Sequence, residues 1–440
     1  MKSRPSAPRR LAVVLSGGGA RGAYEVGVLS NLLPRMAALG IKTDILVATS
    51  VGALNACALA ATAHFPGVAG ARLRAALLRR SWEAIESERV FIPSYFSAFI
   101  SLPLHLANLH GPHPEALITG PRSIRSRMTA AFSRRAYSFR ALYDTTPLQK
   151  TLRDGMLIDW EQLQENLIAG HPAALAISAT SIQTGETVVF TQANQLTSPR
   201  LVPDEHLRLL PVRIDHQHAL ASAAIPFLFP PVRIGLPPDG HHSLFMDGGI
   251  RQNTPLLPAI LLGADSILVI GLHSRSPEPP IEEEQEAFEV IPILGKILNA
   301  FFLDRVRTDF DRLSIMNKLI ENAQPDRLAA LNARRLRRGK DPLREIRALE
   351  VTPSRDIGQV TAELWEHNRA LHRPPWRWLF DARDLHGPAF GDLLSYVFFH
   401  PEFARCLIKL GEEDATREVS EAHLRWMGGL PGGERPGDDP

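Results

Sequence analysis

The amino-acid sequence predicts an α/β fold with a mainly parallel sheet, followed by a mostly helical C-terminal region. Three observations lead there. From residue 11 to about 275, short apolar runs alternate with segments of helical periodicity, the pattern left by parallel strands joined through crossover helices. Two of the early strands run straight into glycines or small residues and then into a helix. At 276–286 a Pro- and acid-rich stretch, SPEPPIEEEQE, ends the alternation, and helical patterns follow.

LAVVL (11–15) is a short buried strand that runs into glycines. Residues 21–39 place Tyr24, Val28, Leu32 and Leu39 near helical spacing, with Pro34 expected to bend or break that helix. DILVAT (44–49) is a second strand, and VGALNACALAAT (51–62) is a small-residue helix that starts directly after Ser50. Segments 174–180 and 187–190 flank SIQTGE as a hairpin with Gly185 in the turn. FMDGG (245–249) ends a strand, 255–262 is helical, and SILVIGL (266–272) is the last buried strand. Within 293–322, Leu294, Ile297, Leu298, Phe301 and Phe302 form one apolar helical stripe. The basic block NARRLRRGK (332–340) reads as a solvated helix face. The resulting organisation is a basic tail over 1–10, an α/β domain over 11–275, a mostly helical region over 276–430 and a disordered tail over 431–440.

The composition, 45% hydrophobic and 22% charged over 440 residues, is that of a globular chain, and a net charge of +2 points to no nucleic-acid partner. Cys57 and Cys406 are the only cysteines and lie in apolar helical contexts, which excludes a disulfide scaffold. The N-terminal apolar run spans only 11–15, too short for a secretory core, and no stretch is apolar enough to cross a bilayer. A cytoplasmic protein, in contact with membranes only peripherally, is expected.

GGGARG (17–22) follows a strand and opens a helix, so it satisfies the glycine spacing of a dinucleotide fingerprint. That fingerprint places a ribose-binding acid at the carboxyl end of the second strand, whereas Asp44 opens its strand and Thr49–Ser50 closes it. A nucleotide-dependent oxidoreductase would rest on the glycines alone. Gly17, Gly18 and Gly19 offer something else: unobstructed backbone N–H groups beside a positive helix N-terminus, the makings of an oxyanion hole. Arg21 adds a fixed cation that can orient the loop or meet a substrate phosphate.

ATSVG (48–52) has the strand, sharp turn and helix of a nucleophile elbow, in which small residues two before and two after the serine let the backbone fold tightly. Gly52 meets that need, and Ala48 stands where the consensus has glycine. A serine needs a base. Asp247 ends an apolar strand and is followed by Gly248 and Gly249, which permit a tight turn; at the carboxyl end of a parallel strand it would share an edge with Ser50. His216, His218, His241 and His242 are the alternative bases, and a Ser-His-Asp triad is the mechanistic rival. Neither histidine pair has helical i, i+4 spacing or an accompanying cysteine, so no metal site is expected.

Taken together, the G-G-G-x-R-G loop, the serine elbow and the D-G-G aspartate resemble the patatin-like phospholipase family over roughly residues 11–275. The segments ASAAIPFLFPPV (221–232) and DGGIRQNTPLLPAILLGAD (247–265), with Asn253 and Pro255, are similar to the family too. The resemblance implies a three-layer α/β/α sandwich and hydrolysis of a phospholipid or other acyl lipid through an acyl-enzyme. It makes Ser50 the nucleophile, Asp247 the base without histidine, and Gly17, Gly18 and Gly19 the oxyanion loop. Arg21, Gly22, Gly52, Gly248 and Gly249 would support these groups. No metal or organic cofactor is implied. The alternative is a non-catalytic lipid-binding or regulatory protein that keeps the fold.

Residues 90–109, VFIPSYFSAFISLPLHLANL, are more apolar than a loop needs, yet broken by Pro93, Pro103, His105 and Asn108. This segment is expected to border the acyl-binding cleft and to touch the lipid surface. Replacing Phe96 and Phe99 with serine should therefore weaken vesicle binding and hydrolysis of a long-chain lipid while sparing a short-chain ester. Equal loss on both substrates with a lower Tm would instead mark the segment as core.

Overall fold

The computed structural model describes residues 9–94, 141–155, 157–194, 206–237, 240–274, 299, 304–368 and 388–436. The first half runs β1 (Leu11–Leu15), α1 (Ala23–Ala38), β2 (Ile45–Thr49), α2 (Val51–Ala61), α3 (Gly67–Glu83), α4 (Ser87–Val90), β3 (Ile92–Pro93), β4 (Tyr143–Asp144), α5 (Thr146–Arg153), α6 (Trp160–Ile168), β5 (Ala174–Ser181), β6 (Thr187–Ala193) and β7 (Leu207–Pro211). The second runs α7 (His216–Ser222), β8 (Val232–Leu236), β9 (His241–Asp247), α8 (Leu256–Leu261), β10 (Ser266–Ile270), α9 (Asp304–Glu321), α10 (Pro325–Arg337), β11 (Arg347–Val351), α11 (Ile357–His367), α12 (Pro388–Val397), α13 (Pro401–Glu418) and α14 (Glu421–Gly428).

The main sheet has the order β11-β10-β1-β2-β5-β6-β7, with β9 on β5 and β8 on β9. Pairing is parallel from β11 to β5, and β5 is antiparallel to both β6 and β9. Along β1 the side chains alternate between two apolar clusters. Leu11, Val13 and Leu15 join the larger one with α1 and α2, while Ala12 and Val14 join a smaller one with Leu256 and Ala259 of α8 and with Phe310 and Leu313 of α9. Those two clusters on opposite faces are the expected three layers.

The central strands and helices lie where the alternation puts them. Pro34 is the exception, because α1 continues through it to Ala38. Packing holds the helix where local propensity would interrupt it: Leu29, Leu32, Leu33 and Met36 are buried, and Arg35 reaches the Ala415 and Val419 carbonyls at the end of α13. The basic block falls on α10, which buries none of its residues, in keeping with a solvated face.

The described part of the region after 275 shares the core of the α/β domain. β11 extends the main sheet in parallel beside β10, and Leu394, Tyr396, Phe403 and Leu407 belong to the same apolar cluster as β1 and α1. RALEV (347–351) is short and partly charged because it is an edge strand, which hides it in the sequence. Within the stretch expected to be a tail, Glu434 N–H donates to the Ala422 carbonyl (3.2 Å) and Arg435 pairs with Glu321 (2.8 Å). The apolar stripe at 294–302 lies outside the described residues. So does most of 90–109; of its described part, Val90 and Phe91 are buried, Phe91 against Tyr143, Phe229 and Phe399.

If the C-terminal helices share the core, Leu407→Ala should destabilise the whole chain by about 2–5 kcal/mol, as a large cavity does in a packed interior. Urea denaturation followed by tryptophan fluorescence and by far-UV circular dichroism should shift as one coincident transition. Two transitions, one of them unmoved, would show separate cores.

Candidate active site

Ser50 sits between the last residue of β2 and the first of α2, with φ 53° and ψ −126°. A non-glycine residue there costs about 1–3 kcal/mol, so neighbouring contacts must hold it. Ser222, fully buried at the end of α7, is one such contact: its Oγ accepts from Ser50 N–H (2.8 Å) and donates to the Ser178 carbonyl (2.6 Å). Gly52 is required by close approach, because a Cβ there would lie 2.7 Å from the Leu15 carbonyl. Ala48 is accommodated without a glycine, its methyl buried in the larger apolar cluster.

Register brings the aspartate to the serine. β2 pairs with β5 as far as Thr49 opposite Ser178, and β9 takes over the same edge at Asp247 opposite Ala179. β9 is antiparallel to β5, not parallel as expected, so the two strands run head-on and stop at adjacent rungs. Ser50 Oγ consequently donates to Asp247 Oδ2 at 2.5 Å, with no histidine between them. Asp247 Oδ1 accepts from Gly249 N–H (2.8 Å), and the Asp247 backbone is tied to Thr180 Oγ1 (2.9 Å) and the Ala224 carbonyl (2.9 Å). Gly248 packs on the Ser178 backbone, which lets the chain turn at once. Asp247 is 0% exposed; burial pushes its carboxyl up to about 7, against the opposing pull of the Ser50 hydroxyl and the Gly249 N–H.

The glycine loop contributes fewer open donors than its composition suggests. Gly17 N–H donates to Asn253 Oδ1 (2.9 Å), and Asn253 Nδ2 returns a bond to the Gly17 carbonyl (3.1 Å), so that amide is committed to holding the loop. Among the described residues no acceptor bonds the N–H groups of Gly18 and Gly19. Gly19 has φ 57° and lies against the Tyr396 carbonyl, which a Cβ would approach to 2.0 Å. Gly22 caps α1, and its carbonyl accepts from Asn55 Nδ2 (3.1 Å).

Arg21 orients the loop and does not face the cavity beside Ser50. It is 1% exposed, donates to Ser395 Oγ (2.7 Å), pairs with Asp392 (3.4 Å) and lies over the Tyr396 ring (4.2 Å). These three partners are on α12, and Arg21 donates to Asn299 Oδ1 (3.4 Å) as well. Another buried network lies behind the loop: Trp82 Nε1 donates to Asn55 Oδ1 (2.8 Å) and Asn55 Nδ2 to Glu25 Oε2 (2.8 Å), while burial pushes the Glu25 carboxyl well above its ordinary range. A polar residue inside an apolar helix pattern is the sequence signal for Glu25 and Asn55; Ser222 carries no such signal.

An apolar cavity open to solvent on one side begins at Ser50 and Gly19 and is walled by Leu54, Leu78, Trp82, Ile225, Phe229 and Phe399. None of the described histidines lines it. His218 Nδ1 meets Asp215 Oδ1 (2.7 Å) in a helix cap and its ring stands on Phe190 (4.7 Å). His241 and His242 open β9, roughly 17–20 Å from Asp247 by strand rise. Among the described residues no cluster of His, Cys, Asp and Glu is arranged to hold a metal, and no helix is long and apolar enough to cross a membrane.

A family model described as patatin-like phospholipase matches residues 13–260, more than half of the chain. No curated protein sequence matches it. Two solved structures are similar at low identity. VipD from Legionella pneumophila is 15% identical with a TM-score of 0.33, over 93% of this chain and 66% of that one. The type III effector protein ExoU is 14% identical with a TM-score of 0.29, over 96% of this chain and 53% of that one. The chain thus spans just under two thirds and about half of the lengths of these two.

A carboxyl raised to about 7 in the fold, against about 3.9 in an unfolded chain, keeps a proton between those values that the unfolded state has released. Its stabilising contribution is present below about pH 4 and is lost as pH rises through 7. Asp247→Asn has no proton to lose, so its stability relative to the parent should grow from pH 5 to pH 8 in urea melts. A difference that stays flat across that range would contradict the assignment.

Proposed function

The chain belongs to the patatin-like phospholipase family, and from that premise we propose that it is a serine acyl hydrolase acting on phospholipid or a related acyl lipid. The observation that carries the reading is the 2.5 Å hydrogen bond from Ser50 Oγ to a buried carboxylate that faces no cation among the described residues. Ser50 Oγ attacks the acyl carbonyl while its proton passes to Asp247 Oδ2. The carbonyl oxygen becomes an oxyanion beside the Gly18 and Gly19 N–H groups at the start of α1, where loss of one such donor typically costs about 10²–10³ in rate. Collapse of the tetrahedral intermediate breaks the ester C–O bond, and the departing alcohol takes the proton from Asp247. Water then attacks the acyl-enzyme, gives a proton to the same carboxylate and releases the acid, returning the proton to Ser50.

Direct bonding leaves Asp247 to act without an intermediary base. A carboxyl near 7 suits it, because a base works best when its pKa lies close to the working pH. The apolar cavity takes the acyl chain. We place the protein in the cytoplasm, meeting lipid peripherally, with residues 90–109 as the contact; no metal, cofactor or nucleic acid enters this reading.

On a short-chain p-nitrophenyl ester, Ser50→Ala should lower kcat/KM by about 10³-fold or more, and Asp247→Asn nearly as far. Wild-type kcat/KM should rise with pH through a midpoint near 7, since only the ionised carboxyl accepts the proton. Full activity of Ser50→Ala, or inactivation by His242→Ala with Asp247→Asn still active, would refute the dyad.

A further inference from the structure

The cavity beside Ser50 follows one helix. Val51, Leu54, Asn55 and Ala58 of α2 line it, an i, i+3, i+4, i+7 stripe that starts at the residue after the candidate nucleophile. At 1.5 Å per residue, Ala58 lies about 10 Å along the helix from Val51. Leu54 and Ala58 are the two residues of α2 that are not fully buried, and both face the cavity. The large side chains opposite, Leu78, Trp82 and Ile85, come from α3 and the turn after it. Near Ser50 the stripe is fixed, because Asn55 bonds Trp82, Glu25 and the Gly22 carbonyl. Further along, nothing but the methyl of Ala58 projects from α2 into the space.

Resting on the acyl hydrolase reading, we propose that the Val51–Leu54–Ala58 stripe is the track of the substrate's acyl chain, and that Ala58 sets how long a chain the site accepts. A short acyl group bound at Ser50 ends before Ala58. A long one must pass it, and each methylene that packs there adds apolar burial that favours the binding of long chains. A larger residue at 58 occupies that part of the track while the chemistry at Ser50 stays two helical turns away.

The test compares p-nitrophenyl butyrate with p-nitrophenyl palmitate on the full chain. Ala58→Phe should lower the palmitate-to-butyrate ratio of kcat/KM by at least about tenfold, the size of effect a pocket wall exerts on chain fit. Ala58→Ser, nearly isosteric, should leave the ratio within about twofold of wild type, by the same measure of pocket fit. Since Ala58→Phe can also disturb the helix, Ala58→Val serves as the second variant and should give an intermediate ratio at an unchanged Tm. An unchanged ratio in both Phe and Val variants, or equal loss on both esters, would overturn the proposal. Failure of the underlying reading looks different: Ser50→Ala would then hydrolyse both esters as fast as the parent.

Discussion

Everything about the site depends on one short hydrogen bond, from Ser50 Oγ to Asp247 Oδ2, and on the sheet register that imposes it. Two strands share an edge of β5 and meet end to end at Ser178 and Ala179. Neither side chain can drift, because each belongs to a backbone fixed by ladder bonds on both sides of the junction. The serine is further held in a left-handed conformation by Ser222, which also bonds Ser178. The cost of burying the carboxyl appears as its raised pKa, and in the proposed mechanism the same burial that weakens it as an anion would suit it as a base at neutral pH.

A second constraint ties the distant C-terminal helices to this centre. Arg21 leaves the glycine loop and spends its donors on Ser395, Asp392 and the Tyr396 ring, while the Tyr396 carbonyl sits where any side chain at 19 would be. Phe399, from the turn after α12, closes one wall of the cavity and stacks on Trp82 (6.2 Å). Residues beyond the stretch matched by the family model therefore shape both the loop and the cavity. A long accessory segment here is part of the core and of the site's frame.

Much of this was legible in the sequence because it is written in local strings. Strand alternation, the glycine loop before α1, the elbow at Ser50 and the D-G-G turn each need only a few adjacent residues. What escaped depends on pairing across hundreds of positions. The head-on entry of β9 is invisible when HHSLFMD is read alone, since parallel and antiparallel strands alternate alike. Asn253 takes the Gly17 amide and leaves two open donors where three glycines suggested three. Ser222 lies in a run of alanines and serines with nothing to mark it, and Arg21 finds its hydrogen-bond partners 278 to 374 residues away. Pro34 shows the converse, a strong local breaker overruled by packing on both neighbours.

The central claim is that Ser50 is the nucleophile and that Asp247 activates it. The most direct measurement is reaction of the full chain with a fluorophosphonate probe, followed by mass-spectrometric location of the modified residue. The account predicts a single adduct on Ser50 in the parent protein, forming faster as pH rises through 7, and almost none in Asp247→Asn. An adduct on another serine, or labelling of Ser50 at the same rate in Asp247→Asn, would contradict it.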